Sequence, residues 1–338
     1  MSAENASSPA STPTSEQRVA VITALAVNVA IAIAKFAAAA ITSSSAMLAE
    51  SLHSLADSVN EILLLVGARR SRRPADLRHP FGHARYRYVY AFLVSLTVFW
   101  VGGVLAVIQG VSRLVARESL ADPRWAIAVL GIAAALEGWS LRTTVRAGRS
   151  TKGTLSWWQL LRVTKAPEII VVFLEDLGAL VGILLALLGV TLATLTGEGA
   201  WDAAAAIAIG LLLMAIGLLV NRETQSLLIG ESAAVEVVAA IRQAIASTDG
   251  VKAVVDLRTI HVGPDDLVIA AGIAVDPSES ATGIARAIVE AKARARRVAP
   301  FRTVMYVEPR VREGASGGAS ESTAATGPND TPMPSSND

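Results

Sequence analysis

Six apolar segments, each near the length a helix needs to cross a bilayer, run one after another through the first two thirds of this chain. About 20 consecutive apolar residues span the hydrocarbon layer, and inside it only helices and closed barrels satisfy every backbone polar group. The segments are about Val19 to Thr42, Ala46 to Gly67, Tyr88 to Ser112, Trp125 to Val145, Ile169 to Thr196 and Ala203 to Val220. Composition agrees. Of 338 residues 52% are hydrophobic and 17% charged, against roughly 25% charged in ordinary soluble domains. The fold class expected is an α-helical integral membrane protein with six transmembrane helices.

Charge placement orients it. The connection from the second to the third segment, RRSRRPADLRHPFGHARYR, holds Arg69, Arg70, Arg72, Arg73, Arg78, Arg85 and Arg87. The connection from the fourth to the fifth holds Arg142, Arg146, Arg149, Lys152, Arg162 and Lys165. The opposite loops are poorer in Lys and Arg. Positive loops stay on the cytoplasmic side, so both termini are expected in the cytoplasm. Residues 1–17 read as a disordered polar leader without the charged region of a cleavable signal peptide, and 313–338 as a disordered tail.

After about Val220 the pattern changes. Ala233 to Thr248 has helical apolar spacing. Val251 to Val262 and Leu267 to Val275 alternate like strands around a Gly-Pro-Asp-Asp turn. Ser280 to Val298 reads as an Arg-rich helix, and Val304 to Val307 as a last short strand. The expectation is a six-helix transmembrane unit over 18–221, followed by a small α+β domain over 222–312 in the order α-β-β-α-β, ferredoxin-like and cytoplasmic.

The second segment carries the chemistry. Glu50, His53, Asp57 and Glu61 are spaced three, four and four apart, so one helix face bears them, with Asn60 beside it. Ionisable groups at bilayer depth are costly and mark ion paths by default. An imidazole with a carboxylate is a natural first shell for a divalent transition metal. The plainer readings are a structural His53–Asp57 hydrogen bond, and Glu50 and Glu61 facing water at the helix ends. In the fifth segment Glu175 and Asp176 point about 100° apart. One could complete a metal shell while the other pairs elsewhere, with Lys35 or a histidine, or both could belong to a buried ion-pair network. Glu137 in the fourth segment reads first as a partner of Arg142, and otherwise as part of a proton or metal route.

With no cysteine, any metal must be held by His, Asp, Glu, backbone or water. Of the four histidines, His79 and His83 lie with Asp76 in the arginine-rich loop. Spacing alone favours a basic, headgroup-facing loop in which they are incidental. His261 ends a strand and reads as a packing or surface residue. No phosphate-binding Gly-rich loop, Cys nucleophile or Ser-His-Asp order is present, so an enzyme is not expected. The net charge of +1 says nothing about partners, and a nucleic-acid partner is not expected.

HSLAD in the second segment, RPADLRHPFGHARYRY after it, six spans and a C-terminal α+β domain together resemble the cation diffusion facilitators over residues 18 to 310. VVFLEDLGALVG, preceded by SWWQLLRVTKAPE, is similar to the branch that includes vertebrate zinc transporter nine. The resemblance implies a homodimeric exporter that exchanges a divalent metal for protons by alternating access, without a cofactor. It implies a transport site of His53 and Asp57 with Asp176. The expected ligand four residues before Asp176 is Val172, and Glu175 is the candidate substitute if the helix rotates or distorts. It implies a possible second site at Asp76, His79 and His83. IAAGIAV and VMYVEP lack the family's histidines, so a C-terminal domain that dimerises with weak or absent metal binding is expected. Zinc is the first choice of cargo, with iron(II), manganese or cobalt as alternatives. A membrane-embedded metal sensor or scaffold that binds without transporting is the alternative of another class. The positive-inside pattern and the absence of targeting signals suit a bacterial inner membrane.

Overall fold

The computed structural model describes residues 15–116, 123–152, 165 and 167–311. The leader before Ser15, the Trp-Trp segment and the tail after Val311 lie outside them. Six long helices come first: α1 (Ser15–Thr42), α2 (Ser45–Ser71), α3 (Tyr86–Ala116), α4 (Pro123–Lys152), α5 (Pro167–Thr196) and α6 (Ala200–Ile229). Then come α7 (Val235–Ala246), β1 (Ala253–Gly263), β2 (Asp266–Val275), α8 (Ala281–Val298) and β3 (Arg302–Val311).

Among the described residues, four helices are long and apolar enough to cross a membrane: α3, the Pro123–Arg142 part of α4, the Ile170–Thr196 part of α5, and α6. The described apolar stretch of α1, Asn28–Thr42, is shorter. At 27 residues α2 is about 40 Å long, and its low apolarity comes from a polar stripe that faces inward. Glu50, His53 and Asn60 are buried while Leu55, Val59, Ile62 and Leu65 are exposed. Large apolar side chains also cover the outside of the other helices, among them Ile33, Trp100, Ile132, Leu184 and Leu188. An apolar exterior around a polar interior suits lipid rather than water.

Helix ends differ from the sequence expectations. α1 begins at Ser15, inside the expected leader, and α6 continues unbroken to Ile229, past the boundary expected at 221. α4 extends to Lys152, so Arg142 and Arg146 lie on a helix rather than in a loop. Polar ends of long helices carry no hydropathy signal, which is why apolar runs underestimate them.

α3 contains a wider π-helical turn at Val98–Val104 where it crosses α6. There Gly103 and Gly210 let the two backbones meet: a Cβ on Gly210 would stand 2.7 Å from the Gly103 carbonyl oxygen. π-turns in helices mark such local accommodations. The core of the helical unit joins Met47, Ala49, Val94, Leu130, Leu174, Ile183, Ile209 and Leu213.

The C-terminal unit has the expected element order. β2 lies between β1, to which it is antiparallel (Thr259↔Ile269), and β3, to which it is parallel (Ile269↔Met305). α7 and α8 cover one face through Ile241, Ile245, Ala291 and Ala295 against Leu267, Ile269 and Ile273. β3 is ten residues long rather than the short strand expected, because its alternating Arg, Glu and Pro positions hide it from an apolar pattern. His261 is a buried packing residue, its ring edge-on to Phe301 with centroids 4.7 Å apart.

Candidate metal site

Ser44 caps the start of α2, its hydroxyl accepting the N–H of Met47 at 3.0 Å. That fixes the register in which Glu50, His53, Asp57 and Glu61 share a face. His53 is buried, and its Nδ1 stands 3.5 Å from Asp57 Oδ1, close but without hydrogen-bond geometry. Both ring nitrogens of His53 and Oδ1 of Asp57 are buried with no hydrogen-bond partner. Buried polar atoms are almost always paired, so three orphaned ligand atoms side by side are an unmet demand that a cation would answer.

Asp57 opens onto a cavity of about 660 Å³ between α1, α2, α4 and α5. Glu61, Glu137, Glu175 and Asp176 also line it. So does Val172, whose side chain offers no ligand atom. α5 is an uninterrupted helix, yet both Glu175 and Asp176 reach the cavity. Asn60 of α2 donates to Glu175 Oε1 at 2.6 Å, and Ser140 of α4 donates to Asp176 Oδ1 at 3.2 Å. The two carboxylates diverge to opposite walls of a space wide enough to contain both. In this conformation the ligand atoms of His53, Asp57, Glu175 and Asp176 do not close into one tight shell. Among the described residues, a cluster of three or more with all ligand atoms within 4.8 Å is formed by Asp76, His79 and His83.

Three sequence expectations are corrected. Glu50 does not face water: it is fully buried and paired with Lys35 at 3.2 Å. Lys35 is consequently not the partner of Glu175 or Asp176. Glu137 lines the cavity, whereas Arg142 is exposed and makes no ion pair with it among the described residues. Glu61 is half-buried and accepts from Asn28 of α1 at 3.1 Å.

The cavity runs from Ser54 and Ala179 at mid-helix to Ala68 and Glu168, the end where α2 stops and α5 starts. At that mouth Arg87 forks onto Glu168, with Nε to Oε1 at 2.5 Å and Nη2 to Oε2 at 3.0 Å, and reaches Asp265 of the C-terminal unit at 3.3 Å. Lys165 pairs with Glu231 nearby. The opposite end is tied shut. Asp202 of α6, buried, accepts the Ser44 hydroxyl at 2.5 Å, the Ser45 N–H at 2.5 Å and hydroxyl at 2.7 Å, and the Ala46 N–H at 3.3 Å. In the sequence, the adjacent hydroxyls of Ser43-Ser44-Ser45 are the only local sign of a carboxylate partner.

In the loop, Asp76 Oδ1 accepts the backbone N–H of His79 at 2.7 Å and of Arg78 at 2.9 Å. These bonds, the His79 one first, hold the Asp76 carboxyl below its ordinary value. His83 Nδ1 donates to the Pro74 carbonyl at 3.1 Å, which leaves the Nε2 lone pair pointing at Asp76 Oδ2, 3.6 Å away. A histidine fixed through one nitrogen with the other free is the arrangement of a metal ligand. The spacing-based reading of these histidines as incidental misses a turn that gathers all three side chains.

A bundle of apolar-coated helices around a carboxylate-lined cavity is the architecture of a membrane transporter for cations. The model of the cation efflux transmembrane domain matches residues 21–229, and the chain belongs to that family, whose members are transporters and not enzymes. It is 29% identical over 225 residues to the proton-coupled zinc antiporter SLC30A9, mitochondrial, of Xenopus laevis, a match covering 66% of this chain and 40% of that protein. It is 27% identical over 248 residues to metal tolerance protein C4 of Arabidopsis thaliana, covering 72% of this chain and 54% of that protein. Over 83 residues it is 34% identical to the magnetosome protein MamM of Paramagnetospirillum magneticum, 25% of this chain and 26% of that protein. The chain thus spans about two fifths of the length of the SLC30A9 relative, and its similarity lies with the zinc-transporter-nine-like branch of the family.

Proposed function

We propose that this protein exports a divalent metal, zinc first, from the cytoplasm in exchange for protons. The observation that carries the reading is the set of orphaned ligand atoms on His53 and Asp57 beside a cavity that Glu175 and Asp176 also line. One imidazole and up to three carboxylates match the nitrogen–oxygen coordination that zinc accepts, and the oxygen-rich balance also suits manganese, iron(II) and cobalt. Similarity to a protein named a zinc antiporter favours zinc and proton exchange.

In this reading all six long helices span the membrane as a transport unit, and both termini lie in the cytoplasm, with the arginine-rich loops. The arginine pattern sets that orientation, and the host membrane in this reading is a bacterial inner membrane. The cavity then opens inward and the Asp202 tie closes the outward end. Metal binds deprotonated His53, Asp57, Glu175 and Asp176, and protons competing for the same lone pairs release it outward. The Asp76, His79 and His83 cluster holds a second, non-transported metal. The C-terminal unit pairs two copies into a homodimer.

The test is zinc uptake into everted vesicles under an imposed pH gradient. Wild type should accumulate zinc and Asp57→Ala should not. Undiminished uptake by Asp57→Ala contradicts the site, and competition by manganese, iron(II) or cobalt ranks the cargo. Zinc binding without flux in the wild type would favour a sensor.

A further inference from the structure

α1 places a lysine inside its apolar stretch. Lys35 is fully buried, and its ammonium donates to Glu50 Oε2 at 3.2 Å and to Ser54 Oγ at 2.7 Å. Ser54 lines the cavity, so the ammonium sits just behind the cavity wall. Its partner is only half satisfied. Glu50 Oε1 is buried without a hydrogen-bond partner, aimed at α5 where Gly182 leaves room; a Cβ there would stand 2.2 Å away. One turn along the same face are the two orphaned nitrogens of His53. A buried ion pair offers little stability over apolar packing even when its remaining lone pairs are satisfied. This one is kept with a carboxylate oxygen and an imidazole unpaired beside it. That arrangement describes a cation site with a one-charge occupant.

We propose that Lys35 is a tethered competitor for the transported cation. Its ammonium fills a second station, formed by Glu50 and His53 on the outward side of the cavity, and a divalent cation advancing from Asp57 displaces it. The proposal rests on the reading of the cavity as the transport site. A lysine suits the task because its point charge rides on a flexible four-carbon stem that can swing aside. A second positive charge at short range in a buried site weakens metal binding by repulsion, which keeps the cation from being held too tightly to leave. When the cation departs, the ammonium returns to Glu50 and refills the station.

The experiment measures zinc affinity calorimetrically on the full chain in lipid nanodiscs, with His79→Ala and His83→Ala in every variant to silence the loop. Lys35→Gln should bind zinc roughly tenfold or more tighter. Adding Glu50→Gln to it should return the affinity toward the parent value, and Lys35→Arg should leave it close to the parent. Folded Lys35→Gln with unchanged or weaker affinity overturns the proposal, provided the parent binds zinc and Asp57→Ala abolishes that binding. A parent that binds no zinc, or binding that survives Asp57→Ala, refutes the transport site instead. Should Lys35→Gln not fold, ¹⁵N-lysine NMR of the parent decides. Zinc must shift the Lys35 side-chain signal, assigned by its loss in Lys35→Arg, and an unmoved signal at saturating zinc overturns the proposal.

Discussion

The Asp202 carboxylate sits over the first turn of α2, with Oδ2 accepting the N–H of Ser45 at 2.5 Å. An anion at a helix N-terminus satisfies donors that have no intrahelical partner and meets the positive end of the helix dipole. Here the anion comes from α6, 157 residues away in sequence. The bond is therefore a long-range clasp rather than a local cap, and it closes the end of the bundle opposite the cavity mouth.

Asp202→Ala should destabilise the folded protein by about 1–3 kcal/mol, because it strands the buried N–H groups of Ser45 and Ala46. Thermal unfolding in detergent reads this as a lowered Tm. Ser45→Ala, which removes only one of the hydroxyl donors to Asp202, should lower it less. Equal Tm values for Asp202→Ala and wild type would show that the clasp carries no stability.

Gly182 and Gly131 offer a paired comparison. A Cβ at Gly182 collides with Glu50, whereas at Gly131 of α4 nothing lies within 4 Å. Gly182→Ala should cost about 1–3 kcal/mol through overpacking. Gly131→Ala should be neutral or stabilising by up to about 1 kcal/mol, since alanine is the better helix former. The same melting curves check both, and the reverse order would contradict the packing described.

His261 gives the C-terminal unit a pH dependence. Burial pushes its imidazole below the ordinary value. The unfolded chain then binds the proton more readily than the fold, so stability is full above about pH 6.5 and declines as pH falls below it. Hydrogen-exchange protection at β1 and β3, corrected for the intrinsic exchange rate at each pH, should fall between pH 7.5 and pH 5 in the wild type and do so less in His261→Gln. Identical profiles would assign the effect elsewhere.

The loop cluster predicts a stoichiometry. His79→Ala with His83→Ala should remove one bound zinc per chain while Asp57→Ala leaves that zinc in place, measured by metal analysis after gel filtration. A loop that retains its zinc without either imidazole would contradict the geometry at Asp76.

Much of this was legible in the residues. Hydropathy marks the long helices, and four-residue spacing puts His53 and Asp57 on one face. Alternation finds β1 and β2, whose buried Leu267, Ile269 and Ile273 form a true apolar stripe. What escaped depends on partners distant in sequence. Nothing local tells that Glu50 meets Lys35 and Gly182, or that Asp202 meets Ser45, because a carboxylate looks the same whether water or another helix receives it. That Glu175 and Asp176 line one cavity also escapes periodicity, since adjacent residues can face one space if it is broad enough. The loop triad needed the turn at Asp76 and the Pro74 carbonyl to bring its side chains together.

The most direct measurement is a zinc-edge anomalous difference map of the full chain with zinc bound. The account predicts a peak between α2 and α5, with Asp57 and Asp176 oxygens at about 2.0–2.2 Å and His53 or Glu175 completing the shell. Zinc density confined to the Asp76, His79 and His83 loop, with the space beside Asp57 empty, would contradict it.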